Sequence, residues 1–306
     1  MRAIPRIFVA AAALLAAATT VSACDVSPYA ARVNSQVIRE TALNAELRAW
    51  AGNRAYVSAF DSANGSGGVS VVGDAPGTYN DEWVSSILTG MVTGSVVHQH
   101  LRSTGRRVSQ AGLQAARAVS EISQIGWTSF PPSFRDTLVN RLAEDALITP
   151  PLAQLSQTVG QVYEQYKPYF FSRVCVVQEA AFSLGQASVI SANGQITGQP
   201  VCYSQAALED QPQSLRRSIM GLAVGGVSSP VQTPYGYLVM KVTSRDVIAL
   251  TPELQRTISV AIINAQGAPN DTVVALLTRA RVKVNPAYGS WNATQVVPPK
   301  APGSST

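Results

Sequence analysis

Gly225-Gly226-Val227-Ser228-Ser229-Pro230-Val231-Gln232-Thr233-Pro234-Tyr235-Gly236-Tyr237-Leu238-Val239-Met240-Lys241-Val242 carries the clearest local structure in the chain. The Gly pair punctuates the end of a helical run, and a short strand with Pro230 inside it follows. Thr233-Pro234-Tyr235-Gly236 is then a turn before an apolar, β-branched strand. A proline cannot donate to a ladder, so the first of these two strands is expected at a sheet edge.

This segment resembles the C-terminal half of the parvulin (PpiC, rotamase) peptidyl-prolyl isomerase domain. There a Gly-x-x-Ser-x-Pro strand and a Thr-x-Tyr/Phe-Gly-Tyr turn lead into the last strand. The resemblance departs at one position: the residue after Gly-Tyr, usually an active-site histidine, is Leu238 here. Upstream, Phe171 to Gln178 suits the first strand of such a domain, where active members carry His-Ile-Leu. The run is Arg173-Val174-Cys175-Val176-Val177-Gln178, without histidine. Asn193-Gly194-x-x-x-Gly198 looks like a remnant of the family's Asn-Gly-Gly-Asp-Leu-Gly turn. Only about fifteen residues separate the first strand from it, so the domain is shortened as well as stripped of histidines. Helical stretches near Ser204–Leu208 and Ser214–Leu222 complete it.

The chain opens with Arg2 and Arg6 before an Ala/Leu-rich run from Ile7 to Ala18, too short for a typical membrane span. Val21-Ser22-Ala23-Cys24 closes it and resembles the lipobox of bacterial lipoproteins; the plainer alternative is a secretory signal followed by a chance cysteine. Diacylation of Cys24 and acylation of its amine would hold the mature chain on a membrane surface, since stable anchoring takes two or more chains. The expected location is extracytoplasmic, anchored to the bacterial cell membrane.

About 280 mature residues suffice for two modest domains. Charged residues are 13% of the chain and the net charge is +5, of which Arg2 and Arg6 leave with the leader; the remaining +3 is scattered and argues against nucleic acid. With Cys24 assigned to lipid, Cys175 and Cys202 form an even pair in an oxidising compartment, and a disulfide is expected. A Cys/His metal site and two free buried thiols are the alternatives. The only histidines, His98 and His100, lie far off in sequence, two positions apart and on different helix faces. No metal or other cofactor is expected.

Asp25–Ala31 is a tether. Arg32–Ile38 reads as a small hairpin turning at Asn34-Ser35, and Thr41 can cap the helix after it, with Leu43, Leu47, Trp50 and Tyr56 on one apolar stripe. A Val-Asn-x-x-Val-Ile segment entering such a helix resembles the start of the chaperone domain of SurA- and PrsA-type foldases. Asp61–Thr78 has no apolar period and is expected to be a loop, either partly disordered or specific to this protein. Further helices are expected from Asn80 or Asp81, from Ser109, after Pro131-Pro132, and from Leu152 to Tyr166. Tyr163, Tyr166, Tyr169 and Phe170 suit domain-joint packing or, in a foldase, a groove for unfolded segments. Thr251-Pro252 opens a helix with its own cap, Asn270–Arg281 is another, and Val282–Trp291 resembles the strand that pairs with the N-terminal hairpin in SurA-like lipoproteins.

The expected class is therefore α+β: a discontinuous helical SurA-like domain built from both chain ends, with a small, shortened parvulin-like α/β domain inserted. Its expected boundaries are a signal peptide over 1–23, a tether over 24–31, helical domain over 32–168, parvulin-like domain over 169–247, returning helices and strand over 248–291, and a disordered tail over 292–306. The resemblance implies a chaperone that binds unfolded exported polypeptides, with an inactive or weak isomerase domain. Alternatives are an active prolyl isomerase and a structural envelope lipoprotein. Whether the chain is an enzyme is left open by the missing histidines. Phe182, Tyr235, Tyr237, Leu238 and Met240 are the candidate peptide-binding residues, and no catalytic residue is singled out.

Overall fold

A computed structural model describes residues 28–64, 69–150, 155–266 and 270–300. Cys24 and the leader lie outside the described residues. The fold is α+β, and its two larger sheets are built on different principles.

The first sheet joins the chain ends. β1 (Tyr29–Val33) and β2 (Gln36–Arg39) form the expected hairpin, but it begins at Tyr29, inside the expected tether, because Ala30 and Ala31 are buried in the core; Asn34 sits at φ 53°, a left-handed turn position that asparagine tolerates. β7 (Val282–Val284) pairs antiparallel with β1, giving the order β2-β1-β7. Asn34 locks the corner: its backbone N–H donates to Arg281 O at 2.8 Å, and its side-chain oxygen accepts from Arg281 N at 2.9 Å. Beneath lie α1 (Glu40–Ala51) and α3 (Asp81–Ser103), and their Leu43, Leu47, Trp83, Leu88 and Val92 share one core with Val33, Leu277 and Val284. Residues some 250 positions apart thus exclude water from the same side chains, as hydrophobic closure of a discontinuous unit requires.

Several helix boundaries follow the local chemistry. Asn80 caps α3, Ser109 caps α4 (Gln110–Ser123), Pro132 starts α5 (Pro132–Ile148), and Thr251 caps α10 (Pro252–Ala265). α1 differs. Its cap position is Arg39 rather than Thr41, because β2 runs straight into the helix and Glu40 N is taken by Pro28 O. α2 (Arg54–Asn64) replaces the start of the expected loop, and Val71 within that loop is buried: Asp61 Oδ1 accepts from both Ser70 Oγ and Val71 N. α6 (Ser156–Gln165) packs with α4 and α10, where Tyr163 stacks on Phe170 and donates to Ile248 O. Tyr163 and Phe170 are therefore packing residues of the domain joint. The expected tail is also partly ordered. After α11 (Asp271–Arg279) and β7, β8 (Ser290–Trp291) pairs with β9 (Val296–Val297), and Val296 is buried on α3 with its N–H on Thr89 Oγ1.

The second sheet contains β3 (Phe171–Ala181), β4 (Val201–Ser204), β5 (Val231–Thr233) and β6 (Gly236–Val247), all antiparallel in the order β4-β3-β6-β5. One helix only, α7 (Leu184–Asn193), connects β3 to β4, which is the shortening read from the sequence. Gly194 ends it in the left-handed region. α8 (Gln205–Glu209) and α9 (Gln213–Met220) lead back to β5. α9 ends at Gly221, so the Gly225-Gly226 pair is not a helix terminus. Those glycines run beside β6, with Gly225 N on Val242 O and Val242 N on Gly226 O. β5 is an edge strand, as expected; Pro230 stands one residue before it rather than within it. Among the described residues no helix is long and apolar enough to cross a membrane.

Candidate functional site

The signature stretch builds a rigid corner. Thr233 Oγ1 accepts from Tyr235 N and donates to Gly236 O. Gly236 sits at φ 130°, and a Cβ there would come 2.5 Å from Ala181 O, so the turn lies flat against the end of β3 only because the residue has no side chain. Ser228, itself buried, zips its segment to β6: its N–H donates to Met240 O and its Oγ accepts from Met240 N. Ser191 Oγ on α7 donates to Ser228 O. Ser228 is thus a fastening residue with both its groups engaged.

Period two along β6 splits the candidate peptide-binding residues. Leu238, Met240 and Val242 face α9 together with Val174 and Val176, and Met240 is fully buried in that core. Tyr237 and Val239 face the opposite side, against Val177, Ala187 and Ile190 of β3 and α7. Phe182 and Tyr235 belong to neither core. Each is 92% exposed, and they stand at one end of the sheet on either side of the Gly236 corner, with Leu184 also exposed beside them. The five residues therefore do not form one pocket. Met240 is a core residue and Tyr237 lines the other face, whereas Phe182 and Tyr235 share an open apolar tip.

The α9 face keeps one polar pair that sequence reasoning missed. Gln178 lies opposite Met240 in register, hence on the same face as Leu238, and its Nε2 donates to Tyr203 Oη of β4 at 3.0 Å. The signal was available, since Gln178 interrupts the apolar run of β3 and Tyr203 stands in a short strand. Residues 169–247 contain no histidine, the side chain that most often moves protons near neutral pH. The face offers apolar contact and hydrogen bonding without an acid–base group. His98 is far away on α3, paired with Glu144 Oε1 of α5 at 2.7 Å.

The disulfide joins Cys175 to Cys202 across β3 and β4, where the two are direct register partners. It excludes a Cys/His site and free thiols at these positions.

A second unpredicted feature is the buried ionic seam between the small domain and the helices. Glu209 of α8 accepts from Arg117 at 2.8 Å and Arg135 at 3.1 Å, and Arg135 also reaches Asp210. Arg117 pairs with Asp136, and Glu121 of α4 receives Gln205 at 3.1 Å and faces Arg216 of α9 at 3.8 Å. Burial pushes the carboxyls of Glu209 and Glu121 up, with the neighbouring arginines opposing it. Two clefts flank the seam, one of about 400 Å³ beside Arg117 and Ser204 and one of about 520 Å³ beside Trp127 and Arg216.

No family model matches the chain, and no curated protein matches it. Solved structures that it resembles are SurA-like chaperones and PrsA foldases. One of the SurA-like chaperones PEB4 and Cj1289 of Campylobacter jejuni is 13% identical, with 84% of this chain and 98% of that one covered at a TM-score of 0.26. PrsA of Bacillus subtilis is 12% identical over 85% and 95% of the two chains at 0.24, and the foldase protein PrsA of Lactococcus lactis 11% over 85% and 95% at 0.29. At such scores the likeness carries no functional argument.

Proposed function

We propose that the protein is an extracytoplasmic chaperone that binds unfolded exported polypeptides, held to the cell membrane by lipid on Cys24, with a parvulin-like domain that holds peptide without catalysing isomerisation. The observation that carries this is the exposed tip: two large aromatic side chains, Phe182 and Tyr235, stand almost wholly in solvent on a corner made rigid by Gly236 and Thr233. Soluble proteins rarely expose large apolar side chains together unless the patch binds something. Rigid aromatics give contact area at low conformational cost and accept any apolar sequence, which suits unfolded clients of many kinds.

Twisting a prolyl amide out of conjugation opposes a barrier of roughly 20 kcal/mol. The sheet offers Leu238 where the resemblance leads one to look for a histidine.

The test is suppression of aggregation of a reduced, denatured client by mature protein, with the double variant Phe182→Ser/Tyr235→Ser alongside. Wild type is expected to suppress aggregation at near-stoichiometric amounts and the variant to need several-fold more. No suppression by wild type rejects the chaperone reading and favours a structural envelope protein. Anchoring is tested separately. Cys24→Ala should move the protein from membrane to soluble fractions after a carbonate wash, and full retention contradicts lipidation.

A further inference from the structure

The four-stranded sheet has two edges, and they are treated differently. β5 is three residues long and bracketed by Pro230 and Pro234, neither of which can donate a hydrogen bond. Such brackets are how sheets discourage added strands. β4, at the other edge, has a proline on one side only, Pro200, so its Ser204 end is unbracketed; no charge lies within Val201–Ser204, and Val201, Cys202 and Ser204 are exposed.

Which backbone groups of β4 face outward follows from the register. Cys175 and Cys202 are direct partners with Cα atoms 4.0 Å apart, the spacing of a non-hydrogen-bonded antiparallel pair. Thr243 Oγ1 on β6 donates to Cys175 O, which confirms that the Cys175 backbone points away from β4. Val201 and Tyr203 are consequently bonded inward to β3, and the N–H groups of Cys202 and Ser204 point outward. Among the described residues neither N–H has a partner outside the β3–β4 pair. The disulfide fixes this strand to the sheet centre, so its free groups are presented on a preorganised backbone.

We infer that the β4 edge is a strand-addition site, at which an extended segment of unfolded polypeptide bonds to the outward backbone groups of Cys202 and Ser204. The occupant is an extended chain because what is unsatisfied is the pair of N–H groups of Cys202 and Ser204 at the two-residue repeat, with the Cys202 carbonyl between them, which an extended backbone matches. At its Ser204 end the edge opens into the cleft of about 400 Å³, floored by Leu113 and Val139 and rimmed by Gln110, Gln114 and Asn140. An apolar client side chain has room there, with amide groups to meet its flanking peptide bonds. This site is distinct from the Phe182–Tyr235 tip, and it rests on the chaperone reading for the nature of its occupant.

Ser204 supplies the test. Its φ of −69° is already that of proline, so Ser204→Pro deletes one outward N–H without forcing the backbone. The serine also caps α8 by accepting from Ala207 N, and Ser204→Ala removes that cap while keeping the N–H. Binding of fluorescently labelled, reduced and carboxymethylated α-lactalbumin, a permanently unfolded chain, is measured for the mature protein and both variants. One hydrogen bond lost in binding corresponds to roughly 5- to 10-fold, so Ser204→Pro is expected to weaken binding by about that factor and Ser204→Ala by less than about twofold. Amide exchange on the wild-type protein is the second readout, with Cys202 and Ser204 N–H expected to slow at least about tenfold when the probe is added. It decides the matter if Ser204→Pro fails to fold.

Binding by wild type with equal affinity in Ser204→Pro, and no protection at these amides, overturns the site while leaving the chaperone reading standing. Equal weakening in both variants overturns it in favour of the cap. No binding by wild type removes both readings. A concentration-dependent dimer that Ser204→Pro abolishes assigns the edge to a second copy of this chain instead of a client.

Discussion

Gly236 and Asp145 show how single residues set the limits of the account. The Gly236 turn was legible in the sequence, since Thr-Pro-Tyr-Gly between apolar runs is turn chemistry. Gly236→Ala is expected to cost at least about 2 kcal/mol in denaturant unfolding, because both the left-handed φ and the 2.5 Å approach to Ala181 O oppose a Cβ; a loss under about 0.5 kcal/mol would show that the corner yields. Asp145 was not legible. It lies among apolar and charged residues of α5 and lines a cleft of about 300 Å³ between α4, α5 and α10. Burial first, then the charge of Glu144, pushes its carboxyl up to about 7. Arg141 opposes this, but its guanidinium is engaged by both oxygens of Glu46, and Glu144 is itself bonded to His98. The folded state holds this proton more tightly than the unfolded one, so its contribution to stability is present at low pH and is lost as pH rises from about 4 through about 7. Asp145→Asn should therefore raise Tm at pH 8 and leave it nearly unchanged at pH 4; an equal shift at both values contradicts this.

Elements were legible where their signals are local. Asn34-Ser35, Ser109, Pro132 and Thr251-Pro252 each mark a boundary by their own backbone chemistry, and each stands where the sequence put it. Thr41 failed as a cap because a strand entering a helix directly leaves no room for one. The β8–β9 hairpin was missed because Val296 is held by α3, some 200 residues away, and no local pattern records that. The peptide-binding candidates divided for a similar reason: alternation alone separates Tyr237 from Leu238, but that Met240 lies at the centre of the core depends on α9. The β3–β4 disulfide, expected from cysteine count, closes a 27-residue separation. Its removal by Cys202→Ala is expected to cost roughly 3 kcal/mol on the chain-entropy model. Thiol labelling of unreduced, denatured protein should find neither cysteine free, and quantitative labelling of both contradicts the bridge.

At the scale of the molecule, the α+β class and a domain closed by both chain ends followed from the resemblance of the Val33–Ile38 and Val282–Trp291 segments to SurA-like chaperones, whereas nothing in the sequence marked the ionic seam between the small domain and the helices. Arg117, Arg135 and Glu209 are isolated charges on separate helices, and only their meeting gives them meaning. Arg135→Ala leaves Glu209 buried with Arg117 alone and should destabilise by roughly 3 kcal/mol, with the two domains losing cooperativity in calorimetry; a single unchanged transition would show that the seam does not couple them. On the proposed function, this chain binds unfolded polypeptide on its four-stranded sheet without catalysing isomerisation. The most direct measurement is a protease-free prolyl isomerisation assay on a proline tetrapeptide, run on a preparation already shown to suppress aggregation. A rate barely above the uncatalysed one is expected, and turnover comparable to that of an active parvulin would contradict the proposed function.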